Sequence, residues 1–205
     1  SQRERLTPDG FWAIYAEAPP GVQIAMGISL LTTMRRGDVV QLTHTQNVQD
    51  GHLRATISKS AEQRGVLKAA RLQWQLADYP ELSELIKRAR LLSWENANCP
   101  FLVSHKFRKK RRTTKAHHYQ MTPDQLSRAF TNARNEAGVG GDHPPTFHEV
   151  RSLGSFLLAN QGEEITDIME MMAHSDEEMT KLYQSGHPMP HQSVALRVKG
   201  TVGRW

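Results

Sequence analysis

The chain has 205 residues, 38% of them hydrophobic, and 26 Lys and Arg against 21 Asp and Glu give it a formal net charge of +5. That length fits one large domain or two small ones with ample core, and no stretch approaches the roughly 18 apolar residues that cross a bilayer. The charged opening SQRERL leads into no apolar segment and so does not read as a secretory signal; the single cysteine, Cys99, excludes an internal disulfide and fits a reducing compartment. The first residue is Ser rather than Met, which suits a piece of a longer protein.

Taken in order, LTPDGFWAIYAEA predicts a helix. Thr7 is placed to cap it, Pro8 suits the first position and Asp9 the positive dipole end. Phe11, Ile14, Tyr15 and Ala18 supply a buried stripe at helical spacing. PPG at 19–21 ends that helix, and VQIAMGISLLTTM, almost wholly apolar, reads as a central core helix. DVVQL and HLRATIS then read as short strands, with RGVLKAARLQ returning to complete a small antiparallel sheet. YPELSELIKRARLLS is helical, and Cys99 in NANCPF takes a structural role in a loop. MTPDQLSRAFTNARNEAG is a helix with a capping box from Thr122 and Gln125, Pro123 at its start and Gly138 beyond its end. In PPTFHEVRSLGSFLLAN, Thr146 and Glu149 form a second such box, so His148 lies in the first turn. EITDIMEMMA and HSDEEMTKLYQSG follow as helices, the latter with Ser175 as cap and Gly186 as stop. The fold class expected is mainly α with a small antiparallel β-sheet (α+β).

Three features carry chemistry. HKFRKKRRTTKAHH, from His105 to His118, packs seven Lys and Arg between Lys106 and Lys115, a run suited to meeting polyanions. His148 and Arg151 are three apart near a helix N-terminus, where free N–H groups and the dipole favour an anion such as phosphate. A zinc helix of the H-E-x-x-H kind would need His where Ser152 stands, and no other His/Cys spacing makes a metal cluster. Arg35 and Arg36 end the core helix, where Asp38 could brace a guanidinium for bidentate phosphate contact. Locally, the basic run also fits a solvated loop or a localisation signal, His148 a capped surface histidine, and Arg35 or Arg36 a cation completing a helix end.

Arg35, Lys59, the pair His148 and Arg151, His174, and Tyr183 nine residues later are similar in order and spacing to the catalytic domain of the tyrosine recombinase, or phage integrase, family. The resemblance runs through nearly the whole chain, in RLTPDGFWAIY, TTMRRGDVV, GHLRATISKS, PPTFHEVRSL and HSDEEMTKLY, with Thr33 where the family usually has Gly. It implies the tyrosine recombinase catalytic-domain fold and a nucleophilic Tyr183 that attacks a DNA phosphodiester, leaving a 3′-phosphotyrosyl bond and a free 5′-hydroxyl. Arg35 and Arg151 would hold the non-bridging oxygens, and His148 and His174 would hydrogen-bond the phosphate or move the tyrosine proton. Lys59 would protonate the departing oxygen, with Lys68 its rival. No metal, nucleotide or other cofactor is implied.

The resemblance further implies one catalytic domain over 1–205, a core to about 184 and a tail at 185–205 whose SVALRV is strand-like. The family's core-binding and arm-binding domains would lie outside this chain. Its partners would be double-stranded DNA carrying an attachment-site core, three further copies in a synaptic homotetramer, and accessory DNA-bending proteins, but no membrane. This piece alone would be a monomer that binds DNA weakly, acting in the cytoplasm of a bacterial host near the nucleoid. A type IB topoisomerase would use similar chemistry without partner subunits, and a non-catalytic DNA-binding module would use the basic run alone.

Overall fold

Threonine caps start two helices where the sequence puts them. In the computed structural model, which describes residues 4–58, 69–108, 115–172 and 191–205, Thr7 Oγ1 accepts from Gly10 N–H at the head of α1 (Pro8–Glu17). The stripe of α1 buries Phe11, Ile14 and Tyr15. Pro20 opens α2 (Pro20–Thr32), whose side chains are buried on nearly every side from Gly21 to Thr32. A helix apolar all round belongs at the centre of a domain, and α2 does pack against α1, α4 (Pro80–Glu95) and α6 (His148–Asn160). Two glycines permit this closeness. A Cβ on Gly154 of α6 would collide with the Leu30 carbonyl of α2, and one on Gly21 with the Ser104 carbonyl.

Thr33 ends α2 in the left-handed region, φ 58° and ψ 17°, with its N–H bonded to Ser29 O. That conformation strains a β-branched residue and suits glycine, which accounts for the glycine usual at this position in the family that the sequence resembles. The chain then turns through Arg35, whose carbonyl accepts from both Asp38 N–H and Val39 N–H at 3.0 Å, into a single helical turn, α3 (Arg36–Val39). DVVQL is therefore not a strand. Val39, Val40 and Leu42 are buried because the turn packs onto the core, and so short an apolar run does not fix its own backbone geometry.

The sheet orders β1 (Val48–Gln49), β2 (His52–Thr56), β3 (Arg71–Gln75) and β4 (Gln192–Ser193) side by side. β2 and β3 pair antiparallel from His52↔Gln75 to Thr56↔Arg71, and β4 joins β3 in parallel, so the sheet is mixed rather than purely antiparallel. Residues 64–68 of RGVLKAARLQ lie outside the described residues; of the rest, 69–70 are not strand and β3 begins at Arg71, while SVALRV contributes only Ser193 to a strand. α4 runs unbroken as the sequence indicates, and α5 (Pro123–Glu136) carries the complete Thr122–Gln125 capping box. The second expected box is absent. Phe147 is the N-cap of α6 and no side chain bonds it; the Glu149 carboxylate turns instead to Arg5, 3.4 Å away. Phe147 anchors that end of α6 edge-on against Phe130 of α5. α7 (Ile165–Met171) follows. Among the described residues no helix is long and apolar enough to cross a membrane.

Candidate functional site

Arg35, Asp38 and Arg151 line one small crevice with Thr33, Ile57, Leu72 and Met172. Each reaches it by a different element. The left-handed turn at Thr33 directs the chain out of α2 so that Arg35 stands just before α3, and Asp38 sits one turn on. Arg151 extends from the second turn of α6, held there by the close α2–α6 contact at Gly154, one turn further along the same face. His148, also on that face, stands at the exposed head of α6.

The electrostatics join these residues. Arg151 is only 5% exposed, and its guanidinium is pushed down to about 10, first by burial and then by the nearby Arg35, with Asp38 opposing. The His148 imidazole is held below its ordinary value by burial first, then by Arg151, with smaller pushes from Arg35 and Arg5 that Glu149 partly offsets. Two guanidiniums and an imidazole thus share a region where positive charge is under-compensated. An anion placed there would relieve all three. Arg151 Nε is buried with no hydrogen-bond partner, which leaves a donor free at the same place, and Asp38 Oδ2 is a buried acceptor likewise without one.

Two further hydrogen bonds fix the edges of the crevice. Arg151 Nη2 donates to Met172 O at 2.8 Å, and Asp38 Oδ1 accepts from Ser58 N–H at 3.0 Å. Asp38 therefore does not brace a neighbouring arginine through a hydrogen bond, as the sequence suggested, but ties α3 to the end of the β2 segment. Its position one helical turn after Arg35 was the only sequence signal for a role in the site. Arg36 belongs elsewhere, donating from α3 to Pro123 O, Asp124 and Ser127 at the head of α5.

Of the six residues expected to gather, Arg35, His148 and Arg151 come together. Lys59 and its rival Lys68, His174 and Tyr183 lie outside the described residues, as does 109–114 of the basic run. Within the described part of that run, Lys115 is not a free phosphate contact. Its ammonium donates to His118 O, Gln120 O and Gln125 Oε1 and lies 4.1 Å from the Phe107 ring centroid, so it organises the loop. Cys99 is buried and its thiol is pushed up by burial, the opposite of an activated nucleophile. Among the described residues no group of three or more His, Cys, Asp and Glu is placed to hold a metal ion.

Known proteins resemble the chain in both sequence and fold. It is 29% identical over 191 residues to the integrase of Escherichia phage HK022, a match covering 89% of this chain and 47% of that protein, so the chain spans about half the length of this relative. The structure of the lambda integrase catalytic core superposes with a TM-score of 0.68 at 20% identity, covering 95% of this chain and all of that one. A lambda integrase tetramer bound to a Holliday junction superposes with a TM-score of 0.64 at 22% identity, over 89% of this chain and 48% of that one. The model of the phage integrase family matches residues 4–188, through α1, strands β1 to β3, the crevice and beyond. On that match over most of its length, the chain belongs to the phage integrase family, the tyrosine recombinases.

Proposed function

We propose that this chain is the catalytic domain of a site-specific DNA recombinase, with a core to about residue 184 and a tail beyond it, in which Tyr183 cleaves and rejoins one DNA strand. The observation that carries this reading is the shared crevice of Arg35 and Arg151 with His148 beside it. A pair of guanidiniums converging on one point suits the two non-bridging oxygens of a phosphodiester, to which arginine can donate in a bidentate manner. The remaining assignments, Lys59, His174 and Tyr183, rest on the order and spacing of the motifs in the sequence.

The chemistry then runs without an external energy source. The Tyr183 oxygen attacks phosphorus and loses its proton toward His174 or His148, while the bond from phosphorus to the 5′ oxygen breaks. Free tyrosine titrates near about 10 and is a poor nucleophile at neutral pH, so clustered cations that favour its phenolate matter. Arg35 and Arg151 neutralise the charge that grows on the five-coordinate phosphorus. Removing one such preorganised donor typically slows a reaction about 100- to 1,000-fold. Lys59 donates a proton to the departing 5′ oxygen. The phosphotyrosyl bond conserves the energy of the phosphodiester, so a 5′-hydroxyl from another strand can reverse the step and exchange strands. Because lambda integrase is seen as a tetramer on a Holliday junction, four copies around paired DNA duplexes, aided by DNA-bending proteins, are the assembly we assign to the whole protein. The bacterial cytoplasm would be its place of action.

A duplex nicked beside the cleavage position, which traps the adduct, tests this directly. The native chain should form a covalent protein–DNA band, and Tyr183→Phe none. An adduct that survives in the Phe variant, or none with the native chain on any attachment-site duplex, sinks the reading.

A further inference from the structure

The outer face of the sheet is polar and basic. In β2 Leu53 and Ala55 turn inward and are buried, as do Leu72 and Trp74 in β3. Strand alternation therefore turns His52, Arg54 and Thr56 outward, opposite Gln75, Gln73 and Arg71. A row of hydrogen bonds crosses this face. Arg54 Nη1 donates to Asp50 at 3.0 Å, Arg54 Nε to Gln73 at 3.2 Å, and Gln73 Nε2 to Ser193 Oγ of β4 at 2.9 Å. His191, just ahead of β4, closes the patch, its imidazole held down by burial first and then by Arg54, Arg71 and His52.

Two guanidiniums and two imidazoles thus share one face, with Arg54 bonded into its framework. Among the described residues the acids nearby are Asp50 on Arg54 and Glu170, which reaches only the Gln192 amide at 3.4 Å. The Asp50 side chain is 79% exposed, so water and salt screen its charge and weaken its hold on Arg54. Leu72 and Ile57, which alternate with Arg71 and Thr56 and point to the other face, line the crevice with Arg35 and Arg151, so crevice and patch lie on opposite faces at the same end of the sheet. Along β2 the face runs four residue steps, about 13 Å at the usual strand rise. That matches the axial rise of about four nucleotides at about 3.4 Å each.

We propose that this outer sheet face, built on Arg54, Arg71, His52 and His191, is a second phosphate-binding surface that grips the DNA backbone outside the crevice. The proposal rests on the DNA-cleaving function above and extends it to flanking nucleotides. The framework of Asp50, Gln73 and Ser193 presets the guanidinium of Arg54, so binding orders little that is not already ordered. Such contacts add affinity without reading sequence.

The test measures binding of a labelled 30-base-pair duplex by the full chain across a salt series, beside the nicked-duplex adduct assay. Arg54→Gln with Arg71→Gln should weaken binding about tenfold or more at low salt. It should also flatten the log–log salt dependence by roughly one to two units, since each lost phosphate contact removes about 0.9. The Lys pair at the same positions should restore most of the slope. Thr56→Glu, at an exposed position of the same face, adds an anion while removing no hydrogen bond and should weaken binding in the same direction. Native affinity and slope in both the Gln pair and Thr56→Glu overturn the proposal. Changed self-association with an unchanged slope overturns it too, and assigns the face to a protein partner. An adduct from the native chain alongside an unchanged slope leaves the cleavage reading standing without this surface. No adduct from the native chain, with the slope flattened as expected, has the opposite meaning.

Discussion

Asp38 is where a single carboxylate does two jobs. One oxygen accepts the Ser58 N–H at 3.0 Å, and the other is buried without a hydrogen bond while its charge favours the protonated form of Arg151. The two jobs can be separated. Asp38→Asn keeps the acceptor for Ser58 but removes the charge that offsets the repulsion between Arg35 and Arg151. Adduct formation on a nicked duplex should fall at least about tenfold, the scale expected when a catalytic guanidinium loses its orientation, while thermal stability changes little. Asp38→Ala should lose stability as well, about 1 kcal/mol, the usual worth of one hydrogen bond, here the part-buried one from Ser58 N–H. Equal cleavage rates for the native chain and the Asn variant would reduce Asp38 to a backbone anchor.

At the scale of elements, the arginine depends on a glycine. Gly154 lies one turn after Arg151, against the Leu30 carbonyl of α2, where a Cβ has no room. Gly154→Ala must push α6 from α2, and overpacking of that kind costs about 1–3 kcal/mol. Arg151 would move with α6 while Arg35, fixed at the end of α2, would not. Adduct formation should therefore fall further than the loss of folded protein explains, measured at a temperature where a circular dichroism melt shows the variant fully folded. This dependence was not legible in the sequence, because a glycine inside a helical pattern does not say what approaches it. What could be read were features whose cause is local. Thr7 and the Thr122–Gln125 box start their helices as written, and the apolar run of α2 is central as its composition requires. The errors fell where tertiary contacts decide. Val39 and Val40 look like strand residues yet sit in a helical turn pressed on the core, and Glu149 leaves the box with Thr146 for a distant Arg5. Arg35, His148 and Arg151 were legible as a set only through their order and spacing, since each alone fits an ordinary helix end. The outer sheet face escaped notice because its partners come from three strands and the residue ahead of the fourth.

At the scale of the whole molecule, the C-terminal segment ties distant elements together. Val194 N–H bonds to Gln73 O beside β4, Tyr79 Oη lies 2.8 Å from both Val194 O and Leu196 O, and Arg197 pairs at 2.7 Å with the fully buried carboxylate of Glu81. Trp205 then seats among Phe11, Trp12 and Tyr15 of α1. Arg197→Met strands the Glu81 charge in the interior and should cost about 2–3 kcal/mol, below the full penalty for breaking a buried pair because Arg197 is partly exposed. Adding Glu81→Gln should recover part of the loss in a denaturant titration; no recovery would mean that the pair is not what holds the segment. The fold as a whole should also weaken in acid, for a reason spread over several elements. Burial is the largest cause holding the imidazoles of His44, His105, His148 and His191 below their ordinary value, with Arg90, Lys115, Arg151 and Arg54 respectively adding to it. As pH falls through about 6.5, the unfolded chain takes up protons at these positions before the folded chain does. Stability rises with pH wherever the unfolded state binds more protons, so this group of histidines removes stability on acidification and adds none above neutrality. The denaturant midpoint should accordingly be lower at pH 5.5 than at pH 7.5, and His148→Gln with His191→Gln should shrink the difference; a midpoint that rises in acid contradicts the argument. On the proposed function, bound DNA would reverse the sign at these same two rings. A phosphate beside Arg151 or over the outer sheet face supplies the negative charge that both imidazoles lack, raises their affinity for a proton, and makes binding take up protons. Duplex affinity should thus increase between pH 7.5 and 6 over the range where the free protein is losing stability, and the doubly substituted protein should show neither trend in full.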